Sequence, residues 1–179
     1  MRAHVINTPL GWIAAAYSGK GLAALTLPMP TKDKALIDLQ KTVKDFLVVG
    51  YEFSRPLYRV QREYQPVCML AESLYDYFIG NTPDFACIAL DTSQCTSFAK
   101  KVYSKVAQVP YGQTRSYGWV AHEIGANNGA RAVGGTLRNN PFPIVVPCHR
   151  IISASGKIGG FTGGLDLKRR LLAIEGFSI

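Results

Sequence analysis

One cysteine in the sequence has neighbours that could make it reactive. Cys148 is followed by His149 and Arg150, and the three interrupt an otherwise apolar run over residues 143–152. A thiol becomes a strong nucleophile when a nearby base or cation favours its thiolate. Adjacency alone does not bring His149 to Cys148, because neighbouring side chains on a strand point to opposite faces. The other cysteines have no such neighbours and are predicted to be inert packing residues: Cys68, Cys87 and Cys95.

A second chemical feature lies on a helix predicted over residues 130–139, which ends before Pro141. Helical spacing places Val133 and Leu137 together, toward the core. The opposite stripe carries two glycines between two arginines: Arg131, Gly134, Gly135 and Arg138. Glycine inside a helix costs about 1 kcal/mol relative to alanine, so the pair requires a reason. Close approach to a partner is one explanation, and close helix packing within the protein is the alternative.

This helix is the second member of a predicted helix-turn-helix. Ser116 is a good N-cap residue for a helix over 117–124, which Gly125 closes. A turn over 126–129 then leads into the helix over 130–139. Two short helices joined by a tight turn, in a basic region, are typical of DNA-binding proteins.

Positive charge is concentrated in the second half of the chain. Residues 91–179 hold 11 basic and 4 acidic groups, whereas residues 1–90 hold 9 and 8. Such asymmetry is typical of a domain that meets a polyanion, with a merely solubilising surface as the alternative. Because 12 of the 17 glycines also lie in the second half, the composition predicts a boundary near Asp91 and two domains.

Other elements must position these residues. Short apolar segments, two of them joined by a hairpin turn at 18–21, predict strands, and apolar residues that recur at three- to four-residue steps predict helices. Strands are predicted over 3–6, 12–17, 22–27 and 85–90. Helices are predicted over 32–47, 66–79 and 97–109. Nothing in the first half resembles a catalytic cluster, so that half is predicted to be a scaffold.

Composition argues against several classes of protein. With 47% apolar and 18% charged residues among 179, the chain can bury a core and is not disordered. No window approaches the ~18 apolar residues of a membrane span. Four cysteines without a CxxC pair argue against a zinc knuckle or a disulfide scaffold, and no ligand spacing predicts a metal site. Residues 10–17 resemble a signal-peptide core but fit a β-hairpin better.

Several motifs occur in an order that resembles one family. They are Tyr111-Gly112 through Ser116-Tyr117, Arg-Ala-Val-Gly-Gly at 131–135, Arg-Asn-Asn-Pro at 138–141, Ile-Val-Val at 144–146 followed by Pro-Cys-His-Arg at 147–150, Gly-Gly-Phe-Thr-Gly-Gly-Leu at 159–165 and Leu-Leu-Ala-Ile-Glu-Gly at 171–176. Together they resemble the O6-alkylguanine-DNA alkyltransferases, also called methylated-DNA–protein-cysteine methyltransferases. The resemblance covers residues 95–176, and several motifs in order are far more specific than any one of them.

The resemblance implies a role for each residue of an acceptor site. Cys148 would accept the alkyl group, His149 would act as a base through a bound water, and Glu175 would orient the imidazole. Tyr117 would give a proton toward guanine N3 as the base leaves. Asn140 would tie the hinge between the recognition helix and the active-site segment. The residue types suit this chemistry, since transfer to sulfur needs a thiolate and a guanine leaving group needs a proton donor.

The resemblance also implies how DNA is held. Arg131 would fill the gap left by a nucleotide flipped out of the duplex, and the backbones of Cys148, Ile151 and Thr162 would hold the base edge. The other implied DNA-binding residues are Ala130, Gly134, Gly135, Arg138 and Tyr117. The implied substrate pocket consists of Pro143, Ile151, Gly159, Phe161 and Thr162.

The fold implied by the resemblance is α/β, with a small ribonuclease-H-like domain over 1–90 and a winged helix-turn-helix-like domain over 91–179. The implied function is DNA repair by a single irreversible transfer from O6-alkylguanine in double-stranded DNA to Cys148, with O4-alkylthymine left open. The implied protein is a monomer without cofactor, metal or membrane contact, in the cytoplasm or, in a eukaryote, the nucleus. Two alternatives stay open: a non-catalytic protein that binds alkyl lesions, and a cysteine hydrolase using Cys148 and His149.

Overall fold

The first half of the chain is organised around a mixed four-stranded sheet. The computed structural model describes residues 1–53 and 65–177, without the side chains of 50–53. The strands are β1 (Arg2–Thr8), β2 (Gly11–Ser18), β3 (Gly21–Leu25) and β4 (Leu47–Phe53). Their order is β3-β2-β1-β4, with antiparallel hairpins between β1, β2 and β3, and β4 parallel to β1. The three strands predicted at the N-terminus, over 3–6, 12–17 and 22–27, are confirmed.

Two helices accompany this sheet. α1 (Lys32–Gln40) begins after Thr31, whose hydroxyl accepts a hydrogen bond from the Lys34 amide at 3.3 Å. α2 (Gln65–Phe78) confirms the helix predicted over 66–79, and its predicted inward residues are buried: Val67, Leu70, Leu74 and Phe78. The core beside α1 is rich in alanine, which lets backbones lie close together: Ala3, Ala14, Ala16, Ala24 and Ala35.

The helix predicted over 32–47 is too long. It ends at Gln40, although Val43 and Phe46, which follow it, still pack against the core. Leu47 instead begins β4, and its amide donates a hydrogen bond to the Met1 carbonyl at 2.9 Å. Pairing with β1 therefore overrides a helical period that the apolar residues continue beyond the end of α1.

The strand predicted over 85–90 is also wrong. Leu90 forms a single isolated bridge with Leu22, and the preceding residues are turns and irregular structure. The Leu22 amide donates to the Ala89 carbonyl at 2.8 Å, and the Asp91 amide donates back to the Leu22 carbonyl at 2.7 Å. This segment borders β3 over too short a length to form a strand.

The second half is mainly helical. Its elements are α3 (Ser97–Ala107), β5 (Arg115–Ser116), α4 (Tyr117–Glu123), α5 (Ala130–Arg138), a 3₁₀ helix (Cys148–Arg150), β6 (Ile151–Ile152) and α6 (Leu165–Ile174). The helices predicted over 97–109, 117–124 and 130–139 are confirmed. The predicted cap is also found, since the Ser116 hydroxyl accepts from the Trp119 amide at 3.0 Å.

The turn between α4 and α5 depends on glycine. A Cβ atom at Gly129 would lie 2.7 Å from the carbonyl oxygen of Ala126, closer than real contacts allow. β5 and β6 pair in parallel, which brings the start of α4 beside the residues that follow the 3₁₀ helix.

Contacts divide the chain into two compact units, Met1–Thr92 and Ser93–Ile179. Within the described part of the chain, no helix combines the length and apolar character needed to cross a bilayer.

Candidate active site

A cavity of about 970 Å³ opens beside the outward face of α5. Its lining includes residues from four segments: Tyr117 and Gly118; Ala130, Arg131, Gly134, Gly135, Leu137 and Arg138; Cys148; and Ser153, Ala154, Gly160, Phe161 and Thr162. Cys148 is a free thiol with 8% of its surface exposed. The cavity thus brings the nucleophile predicted from sequence together with the predicted stripe of α5.

The backbone before Cys148 is tightly folded. Ile144 adopts φ +73°, a conformation that a β-branched residue rarely takes. Asn140 braces this turn, since its Nδ2 donates to the Val146 carbonyl and its Oδ1 accepts from the Phe142 amide, both at 3.0 Å. The Cys148 amide donates to the same Val146 carbonyl at 2.7 Å. Asn140 therefore holds the segment that presents the thiol.

The surroundings of the Cys148 thiol shift its pKa in both directions. Burial raises the pKa of Cys148, while a hydrogen bond from the Asn140 side chain and the charge of Lys168 lower it in part. The net direction is upward, so the thiol is protonated at rest. Reaction at sulfur therefore requires that a base remove this proton.

Lys168 is a buried residue of the site that was not predicted from the sequence. It lies on α6 with no exposed surface, and its Nζ donates to the Ile151 carbonyl at 2.6 Å. Burial lowers its pKa to about 8, and Cys148 raises it in part. Its spacing of three and four residues from the buried Leu171 and Leu172 places it on the inward face, and this spacing could have revealed it.

The residue after the thiol belongs to a buried acid–base pair. His149 Nε2 is 2.6 Å from Glu175 Oε1, and both side chains have no exposed surface. Burial lowers the pKa of His149 against the opposing effect of Glu175, so the imidazole is neutral. A neutral imidazole that donates from Nε2 to the carboxylate has Nδ1 as its basic nitrogen.

Glu175 is itself fixed by further donors. Arg150 Nε donates to its Oε2 at 2.9 Å, and the Gly112 amide donates to the same oxygen at 3.1 Å. Burial raises the pKa of Glu175, but His149 and Arg150 outweigh that effect and lower it to about 2. Arg150 also donates to the Val109 carbonyl at 2.7 Å. The carboxylate is therefore ionised and fixed. From the sequence, Arg150 is predicted only to add positive charge near Cys148, and its contact with Glu175 is a finding of the structure.

Tyr117 forms one wall of the cavity. Its hydroxyl lies 3.5 Å from the Gly160 carbonyl, and burial, with a smaller effect of Cys148, raises its pKa. A Cβ atom at Gly159 would lie 3.1 Å from the Tyr117 hydroxyl oxygen, at a backbone φ of +69°. Gly159 thus supports Tyr117 from the side, and the phenol is protonated near neutral pH.

The outward stripe of α5 is open. Arg131 and Arg138 are exposed, while Val133 and Leu137 are buried as predicted. A Cβ atom at Gly135 would meet nothing within 4 Å, and one at Gly134 would make ordinary contact with the Tyr117 ring. Close packing within the unit therefore does not explain the two glycines.

Three residues of the predicted pocket do not line the cavity. Pro143 and Ile151 are buried, and Gly159 lies against Tyr117. Phe161 and Thr162 do line it. In the described residues, no group of three or more histidine, cysteine, aspartate or glutamate side chains could hold a metal ion.

Comparison with known proteins gives this site a context. Residues 97–177 match the family described as "6-O-methylguanine DNA methyltransferase, DNA binding domain". A methylated-DNA–protein-cysteine methyltransferase of Methanosarcina acetivorans is 36% identical over 172 residues, which cover 96% of each chain.

The chain belongs to the methylated-DNA–protein-cysteine methyltransferase family.

Other members of the family are similar over different lengths. The methylated-DNA–protein-cysteine methyltransferase of Mycolicibacterium paratuberculosis is 50% identical over 104 residues, 58% of this chain and only 62% of that protein's length. The crystal structure of Mycobacterium tuberculosis OGT in complex with DNA covers 98% of this chain and 92% of its own, with a TM-score of 0.75 and 33% identity. The chain therefore has the mixed α/β fold of these proteins.

Proposed function

We propose that this protein repairs DNA by transferring an alkyl group from O6 of guanine to Cys148, once per molecule. The observation that carries the proposal is the placement of Cys148. It is a buried free thiol in the wall of a cavity beside an exposed arginine and glycine stripe, and the next residue in the chain is His149, which pairs with Glu175. Family membership and the DNA complex of the mycobacterial relative support double-stranded DNA as the partner.

The proposed reaction forms one bond and breaks one. Cys148 Sγ attacks the alkyl carbon, and the new S–C bond forms as the C–O6 bond breaks, leaving the electron pair on guanine. The thiol proton passes through a bound water to neutral His149, and ionised Glu175 stabilises the imidazolium that results. No group on the chain is proposed to release the thioether, so the protein is consumed.

Tyr117 is proposed to complete the proton balance. A guanine that leaves as an anion is a poor leaving group, and a proton given to N3 makes it neutral. The pKa of the phenol is raised by burial, so it holds its proton until the base needs it. Solvent then reprotonates the phenolate.

Extrusion of the base is proposed to involve α5. An alkyl group on O6 lies within the duplex, so the nucleotide must leave the stack, at a cost of a few kcal/mol. Arg131 is exposed beside the cavity and is proposed to occupy the vacated space. The bare backbone at Gly134 and Gly135 lets α5 approach the minor groove, with Ala130 and Arg138 beside them. Phe161 and Thr162 would then flank the base.

The proposed domain folds, oligomeric state and cellular location rest on membership of the family. The proposed domains are a ribonuclease-H-like domain over 1–90 and a winged helix-turn-helix-like domain over 91–179. A monomer that needs no cofactor, in the cytoplasm or a eukaryotic nucleus, fits a protein that acts once on DNA. A lesion-binding protein that transfers nothing would need neither the thiol nor the His149–Glu175 pair, and a hydrolase would leave the α5 stripe without a role.

The test is the mass of the intact protein after exposure to a duplex oligonucleotide carrying O6-methylguanine. We expect one added methyl group, which peptide mapping assigns to Cys148. Cys148→Ser should bind the duplex and gain no mass, and the matched control Cys87→Ser, at an exposed cysteine, should react like the wild type. Methylation of another cysteine, or many turnovers per molecule, would contradict the proposal.

A further inference from the structure

The loop that borders the cavity has few side chains that could hold it in place. This pocket loop, residues 159–164, contains four glycines and only two larger residues, Phe161 and Thr162. A Cβ atom at Gly160 or Gly164 would meet nothing within 4 Å, so the backbone there has free space around it. Within the loop, the Gly164 amide donates to the Phe161 carbonyl at 3.1 Å. The position of such a glycine-rich loop depends on the few bonds it makes to other elements.

One short bond joins the pocket loop to α5. The Thr162 hydroxyl donates to the Arg138 carbonyl at 2.8 Å, and Arg138 is the last residue of α5. The Tyr117 hydroxyl also donates to the Gly160 carbonyl, at a longer 3.5 Å, and the Lys168 amide of α6 donates to the Gly164 carbonyl at 3.2 Å. The last carbonyls of a helix have no partner within the helix, so Arg138 offers a free acceptor that Thr162 occupies.

The same helix end is also held from its other side. The Tyr103 hydroxyl of α3 lies 3.3 Å from the carbonyls of Thr136 and Asn139. Tyr103 thus holds α5 to the body of the unit, whereas Thr162 holds α5 to the pocket loop. The two contacts differ in what they connect, which makes them separable by experiment.

We propose that the Thr162 hydroxyl is a positioning group that couples the recognition helix to the pocket loop. When α5 engages the duplex, the bond to Arg138 carries the loop with it and sets Phe161 and the Thr162 backbone against the extruded base. A hydroxyl has one hydrogen, and here Arg138 receives it, so the side chain does not donate to the substrate. This inference rests on the proposed function.

The coupling predicts different losses on two substrates. Single-turnover methyl transfer would be measured from a duplex containing O6-methylguanine and from free O6-methylguanine base. Thr162→Val removes the hydroxyl and should slow transfer from the duplex about fivefold to tenfold, the rate equivalent of one net hydrogen bond. Transfer from the free base, which involves no engagement of α5, should slow by a smaller factor, so the ratio of the duplex rate to the free-base rate should fall. Thr162→Ser keeps the hydroxyl and should behave like the wild type on both substrates.

Tyr103→Phe is the matched control, because it removes a donor from the same helix end without touching the pocket loop. It should lower the melting temperature while leaving the ratio of the two rates unchanged. An equal loss on both substrates for Thr162→Val, no loss at all, or the same change of ratio in Tyr103→Phe overturns the coupling. A wild-type protein that transfers nothing from the duplex overturns the proposed function, and the coupling with it, before any variant is considered.

Discussion

Lys168 is the residue at which charge and burial conflict most strongly. Its side chain is fully buried, and the hydrogen-bond acceptor that the structure describes for it is the neutral carbonyl of Ile151. A buried charge is costly without a countercharge. A thiolate at Cys148 would supply one, and the two groups already influence each other's pKa. We therefore expect Lys168 to favour the ionised form of the acceptor.

Lys168→Met should change stability and reactivity in opposite directions. The folded pKa of about 8 lies below the ordinary 10.5, so the folded state binds this proton more weakly than the unfolded state. The stability linked to this group is present above about pH 10.5 and is lost as the pH falls to about 8, a difference on the order of 3 kcal/mol. The free energy of unfolding of Lys168→Met should therefore exceed that of the wild type by the largest amount near pH 7. This difference should shrink as the pH rises toward 10.5. Denaturant unfolding at several pH values measures it.

The same substitution should slow methyl transfer from both substrates, because the pKa of Cys148 rises further without the nearby ammonium. Lys157→Met, at an exposed lysine, is the control and should show neither effect. A relative stability that stays flat between pH 7 and pH 10.5 would show that the ammonium is solvated in the folded protein.

At this scale, the reactive residues could be predicted from the sequence better than their surroundings. The motif order led to Cys148, His149 and Glu175, and the last two are in contact, although their roles remain proposals. Lys168 was missed because lysine is exposed by default, and only the packing of α6 reverses that expectation. The second partner of Glu175, Arg150, depends on an approach between distant segments that spacing does not reveal.

At the scale of elements, α5 is the part of the fold on which the proposed DNA chemistry depends. Its inward and outward faces were predicted correctly because helical spacing alone fixes which residues share a face. The helix predicted over 32–47 failed for the complementary reason: Val43 and Phe46 continue its period, but pairing of β4 with β1 decides the structure. Local patterns thus predict a face within an element better than the end of the element.

Arg131→Ala should separate extrusion of the base from binding. Without the side chain proposed to fill the gap, the flipped state is destabilised while other contacts to the duplex persist. Single-turnover transfer from a duplex should slow by an amount on the order of a few kcal/mol in barrier, the scale of the unstacking cost. Transfer from the free base should hardly change. Equal losses on both substrates would indicate that Arg131 supports the pocket itself.

At the scale of the whole molecule, the number of charged groups that can face a partner is smaller than the number in the sequence, because some of them are buried. Of the 11 basic and 4 acidic groups in residues 91–179, Arg150, Lys168 and Glu175 are buried. Nine basic and three acidic groups remain to face a partner. The excess is therefore still positive, and it lies in the half of the chain that carries the candidate site.

This excess predicts that binding to unmodified duplex DNA weakens steeply with salt. Lys100 is exposed on α3, and loss of one phosphate contact in Lys100→Ala should reduce the slope of log affinity against log salt by about one. Lys20→Ala, at an exposed position of the first unit, is the matched control and should leave the slope unchanged. The slopes are obtained from binding measured at a series of salt concentrations. Equal slopes for the wild type, Lys100→Ala and Lys20→Ala would contradict a role for α3 in phosphate contact.

The resting state of Cys148 has a consequence for the protein's lifetime. A cysteine that serves as a single-use acceptor, as proposed for Cys148, is also vulnerable to peroxides and to small alkylating agents, which attack exposed thiolates first. Burial and a raised pKa keep Cys148 in the form that such agents attack slowly, whereas Cys87 is exposed to them. Under the proposed function, the features that make the thiol slow to react in the free protein would preserve it until a lesion is bound.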